Sequence, residues 1–288
     1  MLGGFFGKAG IVLAVLGAAA VLAWPAGAGA PAQPRVLIIG DSVATAMYWH
    51  DDAVSVMQKN LAVTWEVQVC RRLAGTSCES DGVTPPTLLD VVEPQAELPP
   101  IVVLVMGYND YEDTFAANVD ATMDALLARG VRHVLWLTLT ESRDPYPELN
   151  KILEAKAAQW PQLELVDWNA YSYNEPHWFQ NDFVHLDYKG GIAMAHLVHR
   201  SVVALVDPLR IPERSLPALQ THHRFATRLR AVGGTPPYHW RIAAGRPPHG
   251  VHLLANGRLY GDPARAARGF SVVVIDSDGA TAVERLDW

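Results

Sequence analysis

The order of apolar segments predicts an α/β protein: a three-layer α/β/α sandwich around a parallel sheet, followed by a small all-β sandwich. Three observations carry this. Short apolar runs alternate with amphipathic stretches from residue 35 to 206. Three prolines crowd residues 207–217. Beyond them, Gly/Pro/Asn/Asp turns recur between short β-branched runs. With 288 residues, half of them hydrophobic, the chain can bury one large core and a second small one.

Arg35 to Ile39 is an apolar run stopped by Gly40, as expected of a parallel strand buried on both faces. Trp65 to Val69, Ile101 to Met106, Val131 to Thr138 and Leu163 to Val166 read the same way. Helices are expected over Ala44 to Asn60, Thr114 to Arg129 (closed by Gly130), Tyr146 to Trp160 (closed by Pro161) and Lys189 to Val206. Phe115, Val119, Met123 and Leu126 share one face of the second of these, which should pack on the sheet. Strands alternating with helices imply right-handed crossovers. In such sheets ligands bind at the carboxyl ends of the strands.

Residues 31–206 carry 23 acidic and 11 basic side chains, whereas residues 207–288 carry 7 and 11. The contrast supports a boundary near residue 207. The expected domains are 31–206, a proline-rich linker over 207–214, and a sandwich over 215–288. The acidic larger part would repel phosphates, which argues against nucleic acid as a partner. Residues 1–30 hold a single charged side chain, Lys8, then an apolar stretch from Ala9 to Trp24 and a small-residue run through Ala30. This layout is that of an export signal with an A-x-A site ending at Ala28. An uncleaved membrane anchor is the alternative, and would be the chain's one membrane contact. Either places the protein outside the cytoplasm, secreted, periplasmic or bound to the cell envelope. There Cys70 and Cys78 are expected to form a disulfide, two reduced buried thiols being the alternative.

Chemistry concentrates in three segments: Gly40-Asp41-Ser42-Val43, Gly107-Tyr108-Asn109-Asp110 and Asp182-Phe183-Val184-His185. The first two directly follow expected strands, and the third precedes the last helix. Acyl transfer through a serine needs a nucleophile on a tight turn, a base, a carboxylate to orient the base and donors for the oxyanion. Singly, each segment has a plainer explanation in turn or cap chemistry. Together and in this order they form a candidate site.

These segments resemble the blocks of the GDSL, or SGNH, hydrolase family over Arg35 to Val206. The resemblance implies a flavodoxin-like parallel sheet. It implies Ser42 as nucleophile, His185 as general base, Asp182 as its orienting acid, and an oxyanion hole formed by Ser42, Asn109 and a glycine. The glycine block departs from the common pattern: Gly75 is the first choice and Gly82 the competitor. Asp41 is not the triad acid in that family, and hydrogen bonding to the surrounding turn is its expected task.

Tyr108, Tyr111, Trp178 and Phe179 flank the expected crevice. Tyr108 and Trp178 are candidates for stacking on a sugar, core packing being the alternative. Arg72 is a candidate for an anionic group on the substrate, and a solvated or capping arginine is the alternative for it and for Arg71. His196 and His199 read as helix residues. His222 and His223 lack further ligands at metal spacing, so no metal and no cofactor is assigned. After residue 215 the pattern G-G-x-P-P-Y-x-W, G-x-L-x-G-x-P and a D-S-x-G turn is similar to immunoglobulin-like domains of bacterial surface proteins. Asp276 and Asp278 fit a hairpin turn, or less simply a calcium site.

The function expected is an exported serine esterase acting on acyl, notably acetyl, esters of a cell-surface or extracellular glycan or lipid. An O-acyltransferase using the same serine and a non-catalytic surface binding module are the alternatives.

Overall fold

The computed structural model describes residues 33–218, 220, 222–264 and 269–288. The expected export or anchor segment lies outside the described residues. Among those described, no helix is long and apolar enough to cross a membrane.

Five parallel strands form the main sheet: β1 (Arg35–Gly40), β2 (Ala62–Val67), β3 (Ile101–Val105), β4 (His133–Leu137) and β5 (Leu163–Val166), in spatial order β2-β1-β3-β4-β5. β1 and β3 are central, and their Val, Leu and Ile side chains are buried on both faces. The order reverses after β1, which opens a crevice at the carboxyl ends of β1 and β3. Helices α1 (Thr45–Tyr48), α2 (Asp51–Met57) and α7 (Tyr188–Val206) pack on one another. A second group contains α3 (Leu88–Val92), α4 (Glu112–Leu127) and α5 (Tyr146–Ala157). These are the two outer layers of a three-layer sandwich. Phe115, Val119, Met123 and Leu126 of α4 are wholly buried.

Two expectations need correction, and two short helices are unexpected. The helix expected over Ala44 to Asn60 is broken: a 3-10 turn at Ser42–Ala44 leads into α1, and His50 is extended before α2. Asp51 and Asp52 fill the first turn of α2, where the helix dipole favours negative charge. β2 begins three residues earlier than expected, because as an edge strand it is half-exposed and lacks the apolar run of a central strand. The short α3, with its Thr87/Asp90 capping box, and α6 (Trp168–Ser172) carry too few residues to show a helical period.

The chain then forms two three-stranded antiparallel sheets. β6 (Phe225–Arg228), β9 (Arg258–Gly261) and β8 (Val251–Leu253) make one. β11 (Thr281–Leu286), β10 (Phe270–Ile275) and β7 (His239–Ala244) make the other. Trp240, Leu259, Phe270, Val272 and Val274 are buried in a core separate from that of the parallel sheet. The proline-rich stretch is not a free tether: Ile211 is buried in this second core, and Arg210 bridges to Val232 through paired backbone bonds.

The β10–β11 turn touches α7. Asp276 accepts from the backbone N–H groups of Thr235 (2.8 Å), Asp278 (3.0 Å) and Ala280 (2.8 Å), so its carboxylate is consumed in shaping the hairpin. Asp278 projects onto α7, where its Oδ2 lies 2.9 Å from His199 Nδ1 and its carbonyl accepts from Arg200 Nη1 at 3.0 Å. The other ring nitrogen of His199 lies 2.9 Å from the Lys59 carbonyl. His199 and Asp278 are almost fully buried. Burial raises the Asp278 carboxyl, but the hydrogen bond from Thr235 and the neighbouring His199 outweigh it and hold the pKa below the usual carboxylate range. Removing one partner of a buried hydrogen bond leaves the other unsatisfied and costs about 1–3 kcal/mol. Asp278→Ala is therefore expected to split one thermal transition into two and to open residues 207–214 to protease; a single unshifted transition would contradict this.

Candidate active site

Ser42 stands at the carboxyl end of β1, first in the 3-10 turn. A side chain at Gly40 would meet the Ala44 Cβ at 2.2 Å, so this tight return of the chain requires glycine. Asp41 fixes the turn from below, its Oδ1 accepting the Val43 N–H at 2.9 Å. Its own N–H donates to the Val105 carbonyl of β3. Asp41 thus bonds to backbone around the turn and does not touch His185.

The Asp182–His185 segment is a tight loop between a 3-10 turn at Pro176–Trp178 and α7. Gln180 N–H donates to the His185 carbonyl at 2.7 Å, and Asp182 Oδ1 accepts from the N–H groups of Val184 and His185, both at 3.0 Å. Two glycines then set the loop against Ser42. Added side chains at Gly190 and Gly191 would strike the Trp178 carbonyl at 2.1 Å and the Ala46 carbonyl at 2.5 Å. Helix α7 thereby rests its backbone on the helix that starts three residues after Ser42.

The result is a linear array. His185 Nε2 lies 2.9 Å from Ser42 Oγ, and His185 Nδ1 lies 2.6 Å from Asp182 Oδ2. Burial raises the Asp182 carboxyl. The bond from the His185 ring and the two backbone N–H bonds outweigh it and keep its pKa below the ordinary value. An ionised Asp182 accepts the Nδ1 proton, which leaves Nε2 as the acceptor facing the serine hydroxyl.

Asn109 follows β3, two residues beyond Gly107, and its Nδ2 donates to the Arg71 carbonyl at 3.3 Å. The loop after β2 thus meets the loop after β3. A disulfide joins Cys70 and Cys78, with Cα atoms 5.0 Å apart, and Cys78 Sγ contacts Asn109 Oδ1 at 3.6 Å. Arg72 donates through Nε to the Asn109 carbonyl (2.6 Å) and through Nη1 to the Thr76 carbonyl (2.8 Å), and it stacks over Tyr111 at 4.0 Å. Arg71 is buried and donates to the Glu66 carbonyl at 2.7 Å. Both arginines hold backbone.

The two candidate glycines do not join the array. Gly75 is exposed with φ of 75° and lines a cavity of 180 Å³ with Arg72, Asp110, Tyr111, Thr114 and Asn118, to which neither Ser42 nor His185 contributes. Gly82 follows Asp81 in a two-residue hairpin between Ser80 and Val83, both central residues having positive φ. That turn type explains the glycine fully. Tyr108 accepts the Thr140 N–H on its hydroxyl at 2.9 Å and packs edge-on against Tyr146. Trp178 stacks on the buried Trp168 with ring centroids 6.0 Å apart. Packing accounts for both rings.

Phe183 of the Asp182–His185 loop lines a cavity of 410 Å³ together with Thr140, Glu141, Asn169, Tyr173 and Phe179, to which neither Ser42 nor His185 contributes. Phe183, inside the Asp182–His185 loop, holds φ at 57°, an uncommon conformation for an aromatic residue, with its ring half-exposed. The cavity draws on the loop after β4, on α6 and the turn that follows it, and on the Asp182–His185 loop, so no single motif announced it. Among the described residues no cluster of His, Cys, Asp and Glu could hold a metal ion.

No family model matches the chain, and neither does any curated protein. Solved structures give distant likenesses. A mutant acetyl esterase with acetate ion is 13% identical over 60% of this chain and 97% of that one, with a TM-score of 0.43. A carbohydrate esterase family 3 from Talaromyces cellulolyticus is 14% identical over 60% and 97%, TM-score 0.40. A Clostridium thermocellum family 3 carbohydrate esterase is 14% identical over 57% and 92%, TM-score 0.43.

Proposed function

We propose that the chain is a serine esterase that cleaves acyl esters through an acyl-enzyme intermediate. One observation carries the reading: Ser42 and His185, 143 residues apart in sequence, stand with Asp182 in hydrogen-bonded line at 2.9 and 2.6 Å. A turn and a surface histidine brought together for packing alone need no such order of donor, relay and acceptor.

In the proposed mechanism His185 Nε2 takes the Ser42 proton as Oγ attacks the ester carbonyl. Asp182 stabilises the imidazolium. The developing oxyanion is received by the Ser42 N–H, which opens the 3-10 turn, and by the second N–H of the Asn109 amide, Arg71 having taken the first. Each such donor lowers the barrier by about 3–4 kcal/mol. His185 then protonates the leaving alcohol and activates water for deacylation. The side chains of Asp182 and His185 are 38% and 40% exposed, so water can reach the acyl-enzyme and release the acyl group.

The proposed substrate is a small acyl ester, acetyl above all, on a surface or extracellular glycan. The aromatic and polar lining of the cavity that Phe183 borders supports a sugar as the alcohol part. Export through residues 1–30 is part of the proposal, and the Cys70–Cys78 disulfide is in keeping with an oxidising compartment. A fluorophosphonate probe should label the wild-type chain and not Ser42→Ala, with labelling blocked by prior acylation. Folded wild-type protein that takes no label would overturn the reading.

A further inference from the structure

The outer face of the β6–β9–β8 sheet is cationic. Cross-strand register places His252 beside Tyr260, and Tyr260 beside Ala226; Arg258, two residues before Tyr260, pairs with Arg228. Alternate residues share a face, so Arg228, Arg258, Tyr260 and His252 lie on the side opposite the buried Leu259 and Val251. A groove of 580 Å³ runs here, lined by Arg224, Phe225, His252, Arg258, Tyr260 and Asp262 among others. The Arg258 guanidinium sits 5.2 Å from the Tyr260 ring centre, and the His252 ring lies 5.9 Å from the same ring.

Three features single out this groove. Among the described residues none of Arg224, Arg228 and Arg258 is in an ion pair, as is also true of Arg214, Arg241 and Arg246 elsewhere in the region, whereas Arg210, Arg230 and Arg285 are each matched to an acid; what sets the groove apart is that Arg224 and Arg258 line one cavity with Tyr260. Its wall at Gly250 and Gly261 is bare backbone, because any side chain there would collide with the facing carbonyl. The contact with α7 is made by the β10–β11 turn, so this sheet is not the docking face.

We propose that the groove is a binding site for an anionic polysaccharide. A sugar ring stacks on Tyr260 while its carboxylate or phosphate is held by Arg258 and Arg224, Asp262 at the rim accepting a sugar hydroxyl. Unpaired guanidinium groups match an anion by charge and by their planar fork. An aromatic ring between them supplies the apolar face that a pyranose requires. The sandwich then tethers the chain to an acidic polymer, a role independent of the esterase reading.

The test measures binding by the full chain carrying Ser42→Ala, so that turnover plays no part. Polygalacturonate supplies the carboxylate arm, poly(glycerol phosphate) the phosphate arm, and dextran the neutral control. Binding to at least one acidic polymer and none to dextran is expected. Arg224→Ala/Arg258→Ala should weaken it about tenfold or more, and Arg224→Lys/Arg258→Lys should recover part of the loss. Thermal unfolding of each variant verifies its fold. Should the alanine variant unfold, raising salt from about 0.05 to 0.5 M on the Ser42→Ala chain decides the same question, since a charge-held complex weakens as the screening length shrinks. Equal binding to dextran, no effect of the arginines or of salt, or equal affinity for DNA or for phosphatidylglycerol vesicles would each overturn the proposal.

Discussion

If the chain is the proposed esterase, His185→Ala is expected to lower kcat/KM for an aryl acetate by about five to six orders of magnitude, and Ser42→Ala to do the same, because base and nucleophile would act as one unit. The double variant is expected to be no worse than either single one. Asp182→Asn should cost about 10⁴, since an amide presents a donor to His185 Nδ1 and favours the tautomer that points a proton at Ser42. KM should stay within a few-fold throughout, these groups acting on the transition state. The geometry supports this order of effects: the 2.6 Å bond from His185 Nδ1 to Asp182 Oδ2 is the one that sets the ring's tautomer. Steady-state kinetics on folded variants check it. Losses that multiply in the double variant would mean that Ser42 and His185 do not work as a pair.

Which parts of this arrangement were legible in the sequence follows from where each residue sits. β1 and β3 are buried on both faces and announce themselves as unbroken apolar runs. β2 is half-exposed, so its first residues carry no such run. The break at Trp49 and His50 has neither Gly nor Pro to mark it; only the paired Asp51 and Asp52 indicate a new helix start. Ser42 and His185 were legible because their chemistry lies in short local motifs. Their meeting depends on Gly190 and Gly191 lying against the Trp178 and Ala46 carbonyls, a contact between distant segments that has no periodicity. Gly75 is hard to read for a related reason: a positive-φ glycine in a disulfide loop looks the same in sequence whether it serves a turn or an oxyanion.

The buried acids beneath the site make a second large effect. Asp41 is fully buried and Asp110 nearly so, and one oxygen of each has no hydrogen-bond partner among the described residues. Burial pushes Asp41 up to about 7; the Val43 N–H opposes the rise and the nearby Asp110 charge adds to it. Burial likewise pushes Asp110 up to about 6, against the Leu73 N–H and the positive charge of Arg72. The unfolded chain releases both protons near the ordinary aspartate value of about 4. Between pH 4 and 7 the folded state therefore holds protons that the unfolded state has lost, and stability falls as pH rises through that window, levelling off above pH 7. Each such proton is worth about 1.4 kcal/mol per pH unit. Asp90, Asp120, Asp182 and Asp278, whose values are lowered, act with the opposite sign and below pH 4. Asp110→Asn keeps a carbonyl for the Leu73 N–H and removes the charge, so it should flatten the slope between about pH 4 and 6, leaving the part due to Asp41, and raise the melting temperature at pH 8 by several degrees. Denaturant unfolding across this range measures it, and equal slopes for variant and wild type would show that Asp110 enters the fold already ionised.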